Sequence, residues 1–549
     1  MKNVFSKAEP VLVPCESKYS FFFDFVAKEL PGPNTAPLHR VCTLMRKMKV
    51  KCFFKEELEH DAEISEEVAS LSVRTDTKIK ADAVRFTFFR RAPASGSWEE
   101  LEDKDILGYA VILRVDPALE FERADKSKYQ LHGYILEAVI APPTVTLECG
   151  QTECVTNYYV HCCREFETTV GTAARNKRFR FPGTFFCQQN GYTNACAHAA
   201  LRMAANSWPA FQGAKVTYEA INKLLGIDHA TLKKVRNVGL DSEQIASVIR
   251  ALGHEAETAS FMLRPDIHYE DYIYPLVESG CPVILGIARP SVDHVIAILG
   301  HTLNSDRWAE ARHGYGTTPK ATYISASAWA DHFIFNDDNY GMYVTLPSEA
   351  VKNVIVPQYN PNLYAAVAIG LFPEKPTVPG TGAEERVLGY FAERFASVFL
   401  GKLLEGTKPS ATNLWFGLMK DGHTPVCRTV LRDKAAYLKA LSEMVDEKGH
   451  TVSAAEKKLA GSVLPERVWV TEIMTPSLYV GNKRKLGEIL VVTRATSADL
   501  QAWRVLVFAW LAGVAWHGCL LQNGPLPWSI TGHVPLARGI PAEKCKLEW

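Results

Sequence analysis

Acyl chemistry on a thiol needs a cysteine, a base, a group that orients the base, and a donor for the developing oxyanion. This chain offers all four in a workable order. Cys196 stands where the loop NGYTN gives way to ACAHAALRMAA, whose composition predicts a helix. A thiolate at a helix start faces unsatisfied N–H groups and the positive end of the dipole, which favour negative charge. His198 is near in sequence, but residues two apart on a helix diverge, so it is a poor base for Cys196. His294 is better placed, at the entrance of the apolar run HVIAILGHT that reads as a strand. Downstream, FIFNDDNYGMY offers Asn336, Asp337 and Asp338 at the end of a third strand. A carboxylate or amide there can hold the imidazole tautomer and stabilise the imidazolium. Gln188 and Gln189 precede Cys196 by eight and seven residues and can donate to an oxyanion beside the Cys196 backbone N–H.

Each of these residues has a plain alternative. A free cysteine is most often a buried small hydrophobe, a histidine on a strand is usually structural, and Asn-Asp-Asp-Asn before Tyr-Gly is good turn chemistry. Order and context together favour the catalytic reading. His301 lies seven residues along the His294 strand and on its opposite face, and His332 opens the third strand as a solvated residue. Trp308, Tyr315 and Trp329 lie in a long insert, where they either line a substrate groove or pack the loop down.

The order Gln, Cys at a helix start, His on a strand and Asp after another strand resembles the papain-like cysteine peptidases. The run PVILGI…DHVIAILGH…FIFNDD is most similar to the bacteriocin-processing and related bacterial peptidases of that superfamily. The likeness covers roughly residues 182–350, about a third of the chain. It implies a two-part catalytic domain (helix bundle plus antiparallel sheet), with Cys196 as nucleophile, His294 as base and Asp337 as orienter. The family usually places the oxyanion glutamine six residues before the cysteine, where this chain has Asn190. Either Asn190 serves, or a longer loop brings Gln189 or Gln188 into place. One extra residue absorbed at Gly191 favours Gln189. Some 30 residues between the His and Asp strands leave Asp337 and Asp338 as alternatives. The activity implied is cleavage of a peptide or isopeptide bond through an acyl-enzyme. Acyl transfer to an amine, as in transglutaminases, uses the same triad, and an inactive papain-like scaffold is a third reading.

The surrounding elements predict an α+β fold. SFFFDFVAKEL and LHRVCTLMRKM read as helices, and VRFTFFRR, LGYAVILRV and YILEAVIAP as strands. After Cys196 come two helical stretches, TYEAINKLLGI and LDSEQIASVIRALG, then three strands ending in HFIFNDDNYGMYVTL. The expected organisation is an N-terminal α+β domain over 1–180 and the papain-like domain over 181–371. A Pro/Gly-rich linker over 372–385 and a C-terminal α+β domain over 386–549 follow. The apolar run VLVFAWLAGVAWHGCLL, 505–521, reads as a buried helix of that last domain and not as a membrane span.

Composition narrows the partners. Hydrophobic residues at 47% and charged residues at 22% describe a globular chain, and 549 residues exceed a single core. Sixty-one basic residues balance 61 acidic ones, so nucleic acid is not expected as principal partner. A protein or peptide substrate is. The N-terminal residues lack the apolar stretch of a signal peptide, and 13 irregularly spaced cysteines point to free thiols in a reducing, cytoplasmic setting. Cys149, Cys154, Cys162 and Cys163 with His161 match no CxxC spacing, so neither a metal nor any other cofactor is expected.

Overall fold

The structure is a computed structural model. It describes residues 4–15, 19–30, 35–59, 61–122, 128–146, 152–154, 158–234, 239–261, 268–289, 292–304, 312–313, 322–351, 364–374, 376–394, 424–443, 451–476, 479, 485–498, 505–511, 514–517 and 528–529. The chain is α+β with antiparallel sheets, and it divides into two compact units. The first comprises 1–267, 280–301 and 332–374, and the second 268–279, 302–331 and 375–549.

The first unit opens with β1 (Val11–Pro14), α1 (Tyr19–Ala27), α2 (Ala36–Lys47), β2 (Cys52–Leu58), α3 (Ala62–Thr75) and β3 (Lys80–Phe89). Then come β4 (Ile106–Glu122), β5 (Lys128–Ile140), the short pair β6 (Thr144–Thr146) and β7 (Thr152–Cys154), β8 (Tyr158–Val160), β9 (Arg164–Gly171) and β10 (Asn176–Phe186). Aromatic and β-branched runs such as VRFTFF build an antiparallel sheet in the order β1-β2-β3-β4-β5-β10-β9. Three helices follow, α4 (Cys196–Ser207), α5 (Tyr218–Leu224) and α6 (Ser242–Ala251), and then β11 (Glu255–Ser260). The next helix, α7 (Tyr269–Glu278), lies in the second unit. The chain returns to the first unit for β12 (Val283–Arg289) and β13 (Val292–Thr302), leaves it for β14 (Arg312–His313) and β15 (Thr322–Ser325), and re-enters with β16 (His332–Asp337), β17 (Gly341–Pro347) and β18 (Tyr364–Phe372). A second sheet runs β11-β18-β12-β13-β16-β17, with β8 also paired to β13.

The expected boundary at residue 180 falls inside β10, and this is a correction. β10 pairs with β9 and β5, and one hydrophobic core runs from Val13 through α4 to Leu371. Residues 1–180 therefore share a core with the chain that follows. The single strand expected over HFIFNDDNYGMYVTL is a hairpin, because the turn-forming Asp338–Tyr340 interrupts it.

The second unit holds α7, β14, β15, α8 (Gly380–Arg394), β19 (Val426–Asp433), helices over Lys434–Glu443 and Ala454–Val463, β20 (Arg467–Met474), β21 (Gly487–Val492), β22 (Leu506–Leu511), β23 (Val514–His517) and β24 (Trp528–Ser529). Its sheet is antiparallel except where β15 lies parallel to β19. The expected linker over 372–385 is instead packed. Thr377 and Val378 donate backbone N–H groups to the Thr493 carbonyl, Trp469 Nε1 donates to the Val378 carbonyl at 2.8 Å, and α8 starts at Gly380. The apolar run from 505 forms strands, not a helix, in its described part. Leu506–Leu511 pairs with both β21 and β23, as its Val, Phe and Trp content suits, whereas 512–513 and 518–521 lie outside the described residues. Trp329 is buried and packs against Tyr479, while Trp308 and Tyr315 lie outside the described residues. Among the described residues no helix is long and apolar enough to cross a membrane.

What positions the first unit's central helix, α4, is a buried charge. Arg202 is fully buried and donates to the carbonyls of Leu136 (3.1 Å) and Val216 (3.2 Å). It also pairs with Glu63 of α3 and lies 3.8 Å from Glu137 of β5, and Lys215 contacts both carboxylates. Removing one partner of such a buried set strands the others, at a cost of about 3–5 kcal/mol. Arg202→Met should lower the urea-unfolding free energy by that order, and a loss under about 1 kcal/mol would show that Lys215 alone suffices.

Candidate active site

Cys196 is the first residue of α4, partly exposed, and follows the extended residue Ala195. Ala195 has no side-chain oxygen to cap the helix, and His198 braces its start instead, with Nδ1 accepting from the Ala195 N–H at 3.3 Å. Burial pushes the His198 imidazole down to about 4, so it stays neutral and keeps this acceptor. His198 is therefore a cap for the helix that Cys196 begins, a role its sequence position did not suggest. The alanines behind Cys196 let α4 lie close to β10, with Ser207 Oγ accepting from Phe185 N at 2.8 Å.

The loop before Cys196 is tied down residue by residue. Gln188 is buried and acts as a strand partner: its N–H donates to the Ile135 carbonyl, and its Oε1 accepts from Ile135 N at 2.8 Å. Asn190 is also buried. Its Oδ1 accepts from Tyr192 N and Thr193 N, each at 2.9 Å, and its Nδ2 donates to Glu67 (2.6 Å) and Thr193 Oγ1 (2.7 Å). Gly191 at φ +73° makes the turn possible. Glu67, on α3, receives Tyr134 Oη at 2.7 Å as well, and burial still raises its carboxyl above the usual range. Gln189 alone of the three is partly exposed. Glu67 is the residue that sequence reasoning misses, since nothing marks a helical glutamate 129 residues before the cysteine as its loop's anchor.

His294 sits on β13 opposite Ile287 of β12, beyond the stretch from Ala297 to His301 that pairs with β16. Its ring thus projects beside the end of β16. There His294 Nε2 donates to Asp337 Oδ2 at 2.8 Å, while Asp338 Oδ1 is 3.8 Å away. Asp337 Oδ1 accepts from Asn339 N (2.7 Å) and Tyr340 N (3.1 Å), so one carboxylate shapes the turn and holds the imidazole. Gly341 completes the turn at φ +106°, where a Cβ would meet Arg40 at 2.7 Å. Asn336 is structural: its Nδ2 donates to the Phe185 carbonyl at 2.9 Å and its Oδ1 accepts from Tyr343 N.

With Nε2 engaged by Asp337, Nδ1 is the nitrogen left for Cys196, whose thiol lies near enough to act on the ring's charge. Burial by itself would lower the His294 imidazole. The bonds to Asp337 and Cys196 and the charges of both aspartates outweigh it and push it up to about 11, so the ring is cationic at neutral pH. At Asp338 burial, opposed by His294 and aided by the Asp337 charge, raises the carboxyl to about 7.

The structure thus gathers Cys196, His294, Asp337, Asp338 and Gln189 at one place and ties Asn190 into its own turn, while Gln188 is bonded through Oε1 to Ile135 and its Nε2 is buried with no hydrogen-bond partner among the described residues. Donor atoms of His294, Asp337 and Asp338 lie within 4.8 Å of one another. Tetrahedral donors around zinc sit about 3.3 Å apart. The 2.8 Å contact is shorter, as a hydrogen-bonded pair requires. His301 is fully buried, stacked on Tyr159 and His161, and His332 is half-buried at the start of β16.

No protein-family model matches this chain, and no curated protein matches it in sequence.

Asn190→Ala removes two donors and two acceptors from a buried turn, which costs about 1–3 kcal/mol or more by the usual scale of unmade buried bonds. Urea unfolding should show that loss. An unchanged midpoint would mean water replaces the whole Asn190 set.

Proposed function

We propose that the chain is a cysteine hydrolase of papain-like arrangement that cleaves a peptide or isopeptide bond through an acyl-enzyme. The observation that carries the reading is the 2.8 Å bond from His294 Nε2 to Asp337, with the Cys196 thiol close enough to act on the same ring. A nucleophile, a base and an orienter in that relation are the working parts of thiol acyl transfer. The cationic ring lies beside a sulfur at the first residue of a helix.

In this mechanism Cys196 Sγ attacks the scissile carbonyl, and the oxyanion is met by the Cys196 N–H and the Gln189 amide. His294 Nδ1–H protonates the leaving amine as the C–N bond breaks. The neutral ring then takes a proton from water, which attacks the thioester and releases the acid. Asp337 accepts from Nε2–H throughout and keeps the ring's orientation fixed. Partly exposed Gln189 supports the oxyanion role: Asn190 is spent on Glu67 and the turn, and Gln188, its Oε1 bonded to Ile135 N, is buried.

Cys196→Ala should abolish turnover and leave unfolding unchanged, because a partly exposed thiol adds little packing. Intact-mass analysis after limited iodoacetamide should find Cys196 modified first and His294→Ala slowing it. Undiminished turnover in Cys196→Ala sinks the reading. Asp337→Ala should cost less turnover than His294→Ala, since an orienter is partly replaceable and a base is not. Gln189→Ala should cut turnover on the order of a hundredfold while alkylation, which builds no oxyanion, stays near wild type.

A further inference from the structure

Asp338 is a buried carboxyl that the triad leaves unused. Its side chain is wholly buried, and neither oxygen finds a hydrogen-bond partner among the described residues, whereas neighbouring Asp337 collects three donors. The Gln189 side chain lies near enough to act on its charge. Two adjacent buried carboxylates share one imidazolium here, and Asp337 has the closer claim. A second buried negative charge lacking donors is costly, and the group avoids it by holding a proton. A carboxylic acid carries one donor and one acceptor, the complement of a primary amide.

Resting on the hydrolase reading above, we infer that Asp338 is a positioning residue: as a neutral acid it pairs with the Gln189 carboxamide and aims that amide at the oxyanion. The acid O–H donates to Gln189 Oε1, the acid carbonyl accepts one Nε2–H, and the second Nε2–H is left for the oxyanion. Gln189, partly exposed, can rotate into this pair. Above neutrality the ionised carboxylate can no longer donate to Oε1, and it sets a negative charge beside the one that must develop. The oxyanion site therefore weakens as pH rises through the range where Asp338 ionises. The other titratable groups facing Asp338 are His294 from β13, Asp337 beside it and Cys187 after β10. His294 and Cys187 titrate far higher, at about 11 and about 12, so a change near neutrality is not theirs.

The test uses the full chain and two reagents. p-Nitrophenyl acetate acylates Cys196 through an oxyanion, and iodoacetamide alkylates it without one. Both rates scale with the thiolate fraction, so their ratio at each pH isolates the oxyanion contribution, with Cys196→Ala supplying the background. From about pH 5.5 to about 9.5 the wild-type ratio should fall by about tenfold or more, the scale of a weakened oxyanion donor. Asp338→Asn keeps a donor and an acceptor but does not titrate, so its ratio should stay high and flat. Gln189→Ala should be low and flat, and the double variant should equal it. A wild-type fall that survives in Asp338→Asn, a flat wild-type ratio, or additive losses in the double variant would overturn the proposal while leaving the hydrolase reading intact. Ester turnover that persists in Cys196→Ala removes both.

Discussion

Arg202 is the constraint on which the first unit depends. A guanidinium with no solvent contact must find its whole complement inside the protein, or the helix that carries it cannot be buried. It takes carbonyls from the end of β5 and the segment before α5, and carboxylates from α3 and β5. Those partners come from sequence positions far apart, so satisfying one charge fixes where α4 lies against three other pieces of chain. Cys196 begins that same helix, and its position follows from the pairing.

Asn190 and Asp337 solve a shared problem by the same device. Each lies in a sharp turn, each offers one side-chain oxygen to two backbone N–H groups ahead of it, and each uses its remaining atoms on a distant partner. The Asn190 turn, braced by Glu67, presents Gln189. The Asp337 turn, braced by Arg40 through the Met342 and Tyr343 carbonyls, presents the imidazole's partner. Such turns satisfy buried backbone donors locally, which lets irregular chain pass through a densely packed region. Gln189 and the imidazole's partner Asp337 are thereby held on braced turns at the ends of regular elements.

Two neighbouring aspartates differ in their partners. Asp337 Oδ1 takes two backbone donors and its Oδ2 takes the imidazole. Asp338 has burial and a like-charged neighbour, which raise its carboxyl to about 7. One turn of chain thus sets a fully hydrogen-bonded carboxylate beside a carboxyl raised by burial.

Local chemistry was legible in the sequence because it depends on near neighbours. Cys196 at a helix start, His294 near the entrance of β13 and Asp337 at the end of β16 follow from composition and turn signals that act over a few residues. Register between distant segments was not legible. A β-bulge between Phe335 and Asp337 breaks the alternation that would separate side chains, so Asp337 and Asp338 both come within 4 Å of one nitrogen. Likewise the choice among Gln188, Gln189 and Asn190 turned on Ile135 and Glu67, which are dozens of residues away. The strand character of the run from 505 came from pairing with β21, since an apolar run without periodicity suits either a buried helix or a strand. The sequence by itself determined which residues could do chemistry and the kind of element beneath each. Tertiary structure decided which of two or three equivalent neighbours faces the site, because that choice rests on hydrogen bonds and charges contributed by segments remote in the chain.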